Sequence, residues 1–294
     1  MNSTGVPGFA GRTAVAAALF AGAALTGVAQ ATSLEEIREA GTIRIAVANE
    51  IPYGYIDPNG EAMGAGPDVA KHIMDELDIE NVEWVTTEFS GLIPGLQADR
   101  FDMVAAEMAI LPQRCENVIY SEPNTSYGEG LLVPEGNPED IHAYSDFAER
   151  EDLTVAIMAG ADQLEMMQAL GVPEDRMVTI QANADAISTV STGRADAYAA
   201  TGLTASDLAE RSDMVEVASD FEDPVIDGEE VRSWGGFTFA QGSEDLRDAV
   251  NDVLADYKQT DEWRETLSDY GFTEADIDGS FDRETEELCD ESML

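Results

Sequence analysis

Residues 101–110, FDMVAAEMAI, decide the fold class of this chain. This almost uninterrupted apolar run predicts a buried strand. Two segments before it have the pattern of strands, TIRIAVA (42–48) and NVEWVTTE (81–88), and two have the pattern of helices, GPDVAKHIMDEL (66–77) and GLIPGLQADR (91–100). Strands that alternate with helices in this order predict a parallel sheet with covering helices, and therefore an α/β fold.

The same alternation restarts in the second half of the chain. Three further segments have strand character and are separated by helical ones: LTVAIMAG (153–160), MVTIQA (177–182) and RADAYAATG (194–202). SWGGFTFA (233–240) predicts one more strand, and residues 243–271 predict two helices with a break at Thr260-Asp261. Two α/β units therefore follow one another, and the ends of their strands suggest a ligand cleft between them.

The first thirty-one residues predict a signal peptide. Arg12 precedes an apolar run from Ala14 to Val28, and Ala29-Gln30-Ala31 has the small-x-small pattern of a cleavage site. The apolar run is shorter than the ~20 residues that a membrane span needs. We therefore expect a mature chain that begins at Thr32 and is periplasmic.

The charge is strongly acidic, with 15 Lys+Arg against 60 Asp+Glu and a net charge of −45. This balance argues against nucleic acid and against anionic lipid as partners, because no basic patch is available to offset phosphates. The acids are spread along the chain, which is typical of a solvated surface. It also favours a cell that lives in high salt, where screening reduces self-repulsion.

Cys115 and Cys289 are the two cysteines of the chain, and an exported chain favours a disulfide between them. Two free thiols are the alternative. Two cysteines and two histidines give no zinc-site spacing, so we expect neither a metal nor a cofactor.

Several motifs together resemble the extracellular solute-binding proteins that serve polar amino acid importers of the ABC type. The resembling segments cover residues 34–290 and include residues 42–73, GLIPGLQADRFDMV, LPQRCENVIYSEP and GRADAY. The resemblance implies a two-lobed periplasmic binding protein fold (type II) with the ligand cleft between lobes and two hinge crossovers, near Tyr127 and Trp234. Its implied lobes are residues 32–126 and 234–294 for the first and 127–233 for the second.

Within that family, the chain is most similar to the ectoine/hydroxyectoine-binding proteins. ANEIPY, IPGLQADR, PQRC followed by YSEP, and a cysteine near the C-terminus occur together in that branch. The resemblance implies that Arg114 grips the ligand carboxylate, and a guanidinium suits this role because it presents parallel donors to two oxygens. A surface arginine at a helix end is the alternative.

The resemblance also implies an aromatic box formed by Tyr53 and Phe89, whose faces would attract the delocalised cation of ectoine. Both could instead be core aromatics. The relatives carry a further aromatic at the position of Ala109, so Trp234 or Tyr55 is a candidate to complete the box.

Acidic and small residues complete the predicted site. Glu50, at the end of the first strand, is an acceptor for the ring N–H groups, and Glu107, two residues before Ala109, adds negative charge on the same strand face. Thr201 stands where amino acid binders of this family have an aspartate, which disfavours a free α-ammonium. Gly160, Ala161 and Asp162 lie at a predicted helix N-terminus whose N–H groups could meet a carboxylate, although Asp162 could simply be the N-cap.

The predicted function is the capture of a small zwitterion, ectoine or hydroxyectoine, by a monomer that delivers it to the permease subunits of an ABC importer. A binder of a polar amino acid or of a betaine-like solute is an alternative on the same fold. A periplasmic dehydratase with Glu107 as general acid is another. No Ser-His-Asp set or phosphate loop appears in the sequence, so we expect a binding protein and not an enzyme.

Overall fold

The structure is a computed structural model that describes residues 1, 2, 5 and 32–290. The predicted signal peptide lies outside the described residues, apart from three isolated positions. Within the described part of the chain, no helix is long and apolar enough to cross a membrane.

The described residues form two separate β-sheets of five or six strands and two short hairpins. Numbered along the chain, the strands are β1 Thr42–Val47, β2 Tyr55–Ile56, β3 Ala62–Met63, β4 Asn81–Thr86, β5 Met103–Ala109, β6 Val118–Tyr120, β7 Thr125–Tyr127, β8 Glu129–Pro134, β9 Val155–Met158, β10 Met177–Ile180, β11 Ala197–Thr201, β12 Val215–Val217, β13 Val225–Ile226, β14 Glu229–Glu230 and β15 Ser233–Ala240.

Helices cover both sheets. They are α1 Leu34–Ala40, α2 Ala65–Glu76, α3 Leu92–Gln97, α4 Pro112–Cys115, α5 Ser145–Glu149, α6 Gln163–Ala169, α7 Ala184–Ser191, α8 Gly202–Glu210, α9 Glu244–Tyr257, α10 Asp261–Asp269, α11 Glu274–Gly279 and α12 Thr285–Leu288. Single 3₁₀ turns lie at Phe89–Gly91 and Glu174–Arg176.

The first sheet has the order β4-β1-β5-β15-β6, with β7 also paired to β15. β1 pairs in parallel with β4 and β5, as the alternating pattern predicted, and β15 runs antiparallel to its three neighbours. Every residue of β5 is buried, which confirms the strand predicted from residues 101–110. The second sheet has the order β10-β9-β11-β8-β12, with a parallel centre and antiparallel β8 and β12.

The two sheets define the two lobes, so the predicted type II fold is confirmed. The chain leaves the first sheet after Tyr127, enters the second at Glu129, leaves it at Val217 and returns at Ser233. We propose that these two passages are the hinge between the lobes. Tyr127 and Ser233 pair with each other in the first sheet, so the two passages lie side by side.

Local sequence signals fix several helix ends. Ser33 and Glu36 form a capping box at the start of α1, and Gly41 ends that helix in the left-handed conformation. Thr260 caps α10 through a bond from the Trp263 N–H to its hydroxyl, at the predicted break between the last two long helices.

The acidic segment after Phe272 forms α11 and α12, and it is joined to the first lobe. Cys289 forms a disulfide with Cys115 at the end of α4, the pairing favoured by the sequence. The Thr285 hydroxyl donates to the Ser121 carbonyl at 2.6 Å, which holds α12 against the strand that follows α4.

Candidate functional site

A small cavity lies between the two lobes, at the carboxyl ends of β1, β5, β9 and β11. Its volume is about 20 Å³, which is room for about one water molecule. It is lined from the first lobe by Glu50, Tyr53, Phe89, Ala106, Glu107, Ala109 and Tyr127, and from the second by Met158, Ala161, Asp162, Gln163, Tyr198, Ala200 and Thr201. Eight of the predicted site residues are among these fourteen, and Arg114, Gly160 and Trp234 are not.

Direct hydrogen bonds across the cleft hold the lobes together. The Tyr53 hydroxyl donates to Thr201 Oγ1 at 2.8 Å. The Thr204 hydroxyl donates to Glu50 Oε1 at 3.3 Å, and the Ser233 hydroxyl donates to Asp162 Oδ2 at 3.3 Å. The cleft is therefore closed in this structure, and a solute larger than water can enter only if the lobes move apart.

Arg114 lies in α4 and is buried behind the cavity. Its Nη1 donates to the Ala109 carbonyl at 2.8 Å and its Nη2 to the Gly160 carbonyl at 3.0 Å, so the guanidinium bridges the two lobes. Its Cζ is 5.7 Å from the centre of the Phe89 ring, within cation–π range. In the closed cleft, backbone carbonyls thus occupy donors that the predicted role assigns to a ligand carboxylate.

The aromatic side chains of the cavity lie mainly on the first lobe. Tyr53 follows β1 and makes edge-to-face contacts with Tyr127 and Phe272, with ring centres 5.2 and 5.8 Å apart. Phe89 begins the 3₁₀ turn after β4. Tyr198, on β11, approaches from the second lobe. The cavity therefore offers aromatic faces from both sides.

Glu50 is a carboxyl group placed where the lobes meet. Burial raises its pKa to about 7, and the Asn183 amide, the Thr204 hydroxyl and the positive charge of Arg114 oppose this shift, while the negative charge of Asp162 adds to it. A carboxyl with such a pKa changes charge near neutral pH and responds to a cation brought beside it.

Glu107 does not present its carboxylate as regular strand alternation predicts. The pairing of β5 with β15 shifts in register at this point, and Glu107 has a φ of 48°, in the left-handed region. Its carboxylate turns to Asn124 and Thr125, which donate to its two oxygens, each at 2.8 Å. Burial raises the pKa of this carboxyl to about 7. Glu107 still lines the cavity beside Ala109.

The prediction that Trp234 or Tyr55 completes the aromatic box is corrected by the structure. Ser233 points towards Asp162 in the cleft, and successive residues of a strand face opposite sides, so Trp234 points away. Its indole N–H donates to the Gly279 carbonyl at 2.8 Å. Tyr55, in β2, does not line the cavity either.

The second lobe supplies a helix start and a strand end. Gly160, Ala161 and Asp162 directly precede α6, as predicted, but the Asp162 side chain makes no capping bond and contacts Ser233 instead. Thr201 ends β11 and caps α8, where its oxygen accepts from the Thr204 N–H at 3.2 Å. The same oxygen accepts from Tyr53, so Thr201 is a contact point between the lobes.

Sequence reasoning missed six residues that line the cavity: Ala106, Tyr127, Met158, Gln163, Tyr198 and Ala200. Met158 and Tyr198 lie on strands that end at the cleft, and Gln163 is the first residue of α6. Strand ends and helix starts at a cleft are the usual positions for binding residues, so this placement was the available signal.

The described residues contain no group of His, Cys, Asp and Glu side chains that could hold a metal ion. Carboxyl groups nevertheless outnumber cations around the cavity, because Glu50, Glu107 and Asp162 line it and Arg114 is the cation beside them. The site is thus suited to a ligand with a positively charged part.

Comparisons with known proteins agree with this architecture. A probable amino-acid ABC transporter periplasmic-binding protein, y4tE, of Sinorhizobium fredii (strain NBRC 101917 / NGR234) is 56% identical over 285 residues, 95% of this chain and 93% of the relative. The L-cystine-binding protein TcyJ of Escherichia coli (strain K12) is 25% identical over 260 residues, 88% of this chain and 92% of the relative.

Among solved structures, EhuB in complex with hydroxyectoine has a TM-score of 0.79 and 32% sequence identity, over 88% of this chain and 98% of that one. A family model for bacterial extracellular solute-binding proteins, family 3, matches residues 43–274. The two-lobed fold, the cleft and these similarities lead to one conclusion: the chain belongs to the bacterial extracellular solute-binding proteins of family 3, and it is a binding protein and not an enzyme.

Proposed function

We propose that this protein is the solute-binding component of an ABC importer and that it captures ectoine or hydroxyectoine. The observation that carries the proposal is the grouping of Arg114, Phe89, Tyr53 and Glu50 around one cleft. The similarity to EhuB, whose structure holds hydroxyectoine, supports it.

Each group has a role that its chemistry suits. Arg114 would pair with the solute carboxylate when the lobes part, exchanging the Gly160 carbonyl of the second lobe for a carboxylate oxygen. Tyr53 and Phe89 would hold the cationic ring between their faces, and Glu50 would accept from its N–H groups. The N–H groups of Gly160 and Asp162, before α6, would add donors for the carboxylate, whereas the Ala161 N–H already donates to the Met158 carbonyl.

Binding would then stabilise the closed form. The hydrogen bonds from Tyr53 to Thr201 and from Thr204 to Glu50 join opposite lobes and form only when the cleft closes. A solute that contacts both lobes favours this conformation by its differential affinity. The closed form would be the one delivered to the permease subunits in the membrane.

A polar amino acid is the second candidate ligand. The relative that is 56% identical is named a probable amino-acid ABC transporter component, which favours this class. Thr201 argues against a free α-ammonium, because a hydroxyl that already accepts from Tyr53 and from the Thr204 N–H replaces a carboxylate there.

The site of action would be the periplasm. The family is extracellular, and the predicted signal peptide would place the chain from Thr32 onwards outside the inner membrane. We expect the mature protein to act as a monomer.

Calorimetric titration of the mature protein with ectoine, hydroxyectoine, glycine betaine, glutamine and cystine tests the proposal. We expect ectoine or hydroxyectoine to bind more tightly than the others at the same salt concentration. Tighter binding of an amino acid would replace the proposed ligand and keep the family assignment.

A further inference from the structure

Glu129 is a buried carboxyl group just behind the candidate site, and neither the site nor the fold accounts for it. It is the first residue of β8, directly after the first passage between the lobes, and its side chain is 5% exposed. It pairs across the sheet with Thr201, so both side chains lie on the same face of the sheet at the cleft.

The two carboxyl oxygens of Glu129 differ in their hydrogen bonding. Oε2 accepts from Gln163 Nε2 at 2.7 Å and from the Tyr144 hydroxyl at 3.1 Å. Oε1 is fully buried, and it makes no hydrogen bond with any described residue. Burial raises the pKa of this carboxyl well above its ordinary value, and the negative charge of Asp162 adds to the shift. The two donors that reach Oε2 define this oxygen as an acceptor.

This arrangement determines which way the Gln163 amide points. Gln163 lines the cavity and is 3% exposed. Its amide nitrogen must face Glu129, because an amide oxygen placed 2.7 Å from another acceptor would be repelled. No described residue donates to Gln163 Oε1, so this oxygen is left to the cavity.

We propose that Glu129 is a positioning residue of the binding site: it holds the Gln163 amide so that an acceptor, and not a donor, faces the ligand. Gln163 then joins Glu50 and Asp162 in presenting acceptors to the solute. The inference rests on the proposed function, because it assumes the proposed ligand, and it narrows the chemical class of that ligand. The solute must offer several N–H donors on its cationic part. A fully alkylated ammonium, such as that of betaine, offers none.

The substitution Glu129→Gln tests this because it preserves shape and removes the acceptor preference. The new amide would place its nitrogen at the Oε2 position, since a buried NH₂ at the unpartnered Oε1 position would be left without acceptors. That nitrogen donates to Gln163 Oε1 and so turns the Gln163 amide around. Asp196→Asn is the matched control, because Asp196 is also a second-lobe carboxylate that accepts backbone and hydroxyl bonds, in this case from Thr154.

The first measurement needs no ligand. The side-chain NH₂ signals of Gln163 in a ¹⁵N–¹H correlation spectrum are identified by their loss in Gln163→Ala. We expect them to shift and to exchange faster with water in Glu129→Gln and to stay unchanged in Asp196→Asn. Unchanged Gln163 signals in Glu129→Gln would overturn the inference, whatever the protein binds.

The second measurement is affinity in a double-mutant cycle. We expect Glu129→Gln to weaken ectoine binding at least tenfold, and to have no further effect in a Gln163→Ala background, because both changes act through one amide. Additive losses would indicate a merely structural role and contradict the inference. If the wild type binds no ectoine, the proposed ligand fails while the spectroscopic result still decides the role of Glu129.

Discussion

Arg114 is the residue on which the proposed binding role depends most. It is buried, it touches both lobes through the Ala109 and Gly160 carbonyls, and it lies within cation–π distance of Phe89. A buried positive charge is stable only with several hydrogen-bond partners. Replacing one of these partners by a ligand carboxylate therefore costs little free energy, whereas removing the arginine itself costs much more binding free energy.

Arg114→Ala is expected to weaken ectoine binding by ~2–5 kcal/mol, because the ligand carboxylate would be buried without its charge partner. Arg114→Lys keeps the charge but lacks the two-pronged geometry, so we expect an intermediate loss. Arg100→Ala, at an exposed position, is the control. Calorimetry on folded variants gives the result, and wild-type affinity in Arg114→Ala would remove Arg114 from the site.

Glu50 makes the stability of the closed protein depend on pH. Its pKa is about 7 in the folded chain against an ordinary 4.5, so between these values the unfolded chain loses a proton that the folded chain keeps. The stabilising contribution of the neutral Glu50 is therefore complete below about pH 4.5 and is lost as the pH rises to about 7, by up to ~3 kcal/mol.

Glu50→Gln removes this titration. We expect the melting temperature of the variant, relative to wild type, to rise between pH 5 and pH 8, and that of Glu76→Gln, at an exposed position, to stay level. Scanning calorimetry in low salt measures both. A difference that does not change with pH would show that Glu50 is not titrating in this range.

At the scale of single elements, the sequence predicted those whose pattern is local. β1, β4 and β5 follow from the hydrophobic pattern, and the break before α10 follows from Thr260. The sequence pattern did not predict the site residues correctly where a strand that is distant along the chain determines their orientation. The shifted register between β5 and β15 turns the Glu107 carboxylate towards Asn124, and the alternation of β15 takes Trp234 out of the cleft.

The other site residues were missed by the sequence analysis for the same physical reason. Gln163 and Tyr198 reach the cavity because the second lobe packs on the first, and nothing in their own segments indicates a partner that lies so far away along the chain. The role of Glu129 depends on a hydrogen bond between β8 and α6 and is visible only in three dimensions.

The disulfide between α4 and the residue after α12 is expected to be a major support of the first lobe. It closes a loop of 174 sequence steps, which on chain-entropy grounds stabilises by up to ~5 kcal/mol. The double substitution Cys115→Ser with Cys289→Ser is therefore expected to lower the free energy of unfolding by several kcal/mol in denaturant titrations.

Wild type treated with a reductant is the control for the serine side chains themselves. Alkylation and mass spectrometry of the secreted, unreduced protein give an independent check. Alkyl groups on both cysteines would show that the bond does not form in the cell that makes the protein.

The whole molecule carries a net charge of −45. Repulsion among so many exposed carboxylates opposes the compact state, and it is screened as the Debye length falls from ~10 Å at 0.1 M salt to ~3 Å at 1 M. The arginine and lysine side chains that form ion pairs offset only part of it.

We therefore expect the melting temperature to rise steadily as NaCl increases from 0.1 to 1 M, as in a protein suited to a saline cell. Sucrose at matched osmolality separates screening from general exclusion of solute, because it carries no charge. A melting temperature that is flat or falls with NaCl would contradict the proposed adaptation to salt.

The order of the strands along the chain also bears on how the protein is made. All strands of the second sheet lie within residues 129–217, whereas β15, which separates β5 from β6 in the first sheet, comes after them. Because the polypeptide is synthesised from its N-terminus, all strands of the second lobe are made before the last strand of the first lobe. A nascent chain that has reached Val217 can thus complete its second sheet, while its first sheet still lacks β15, the strand that joins β5 to β6 and β7.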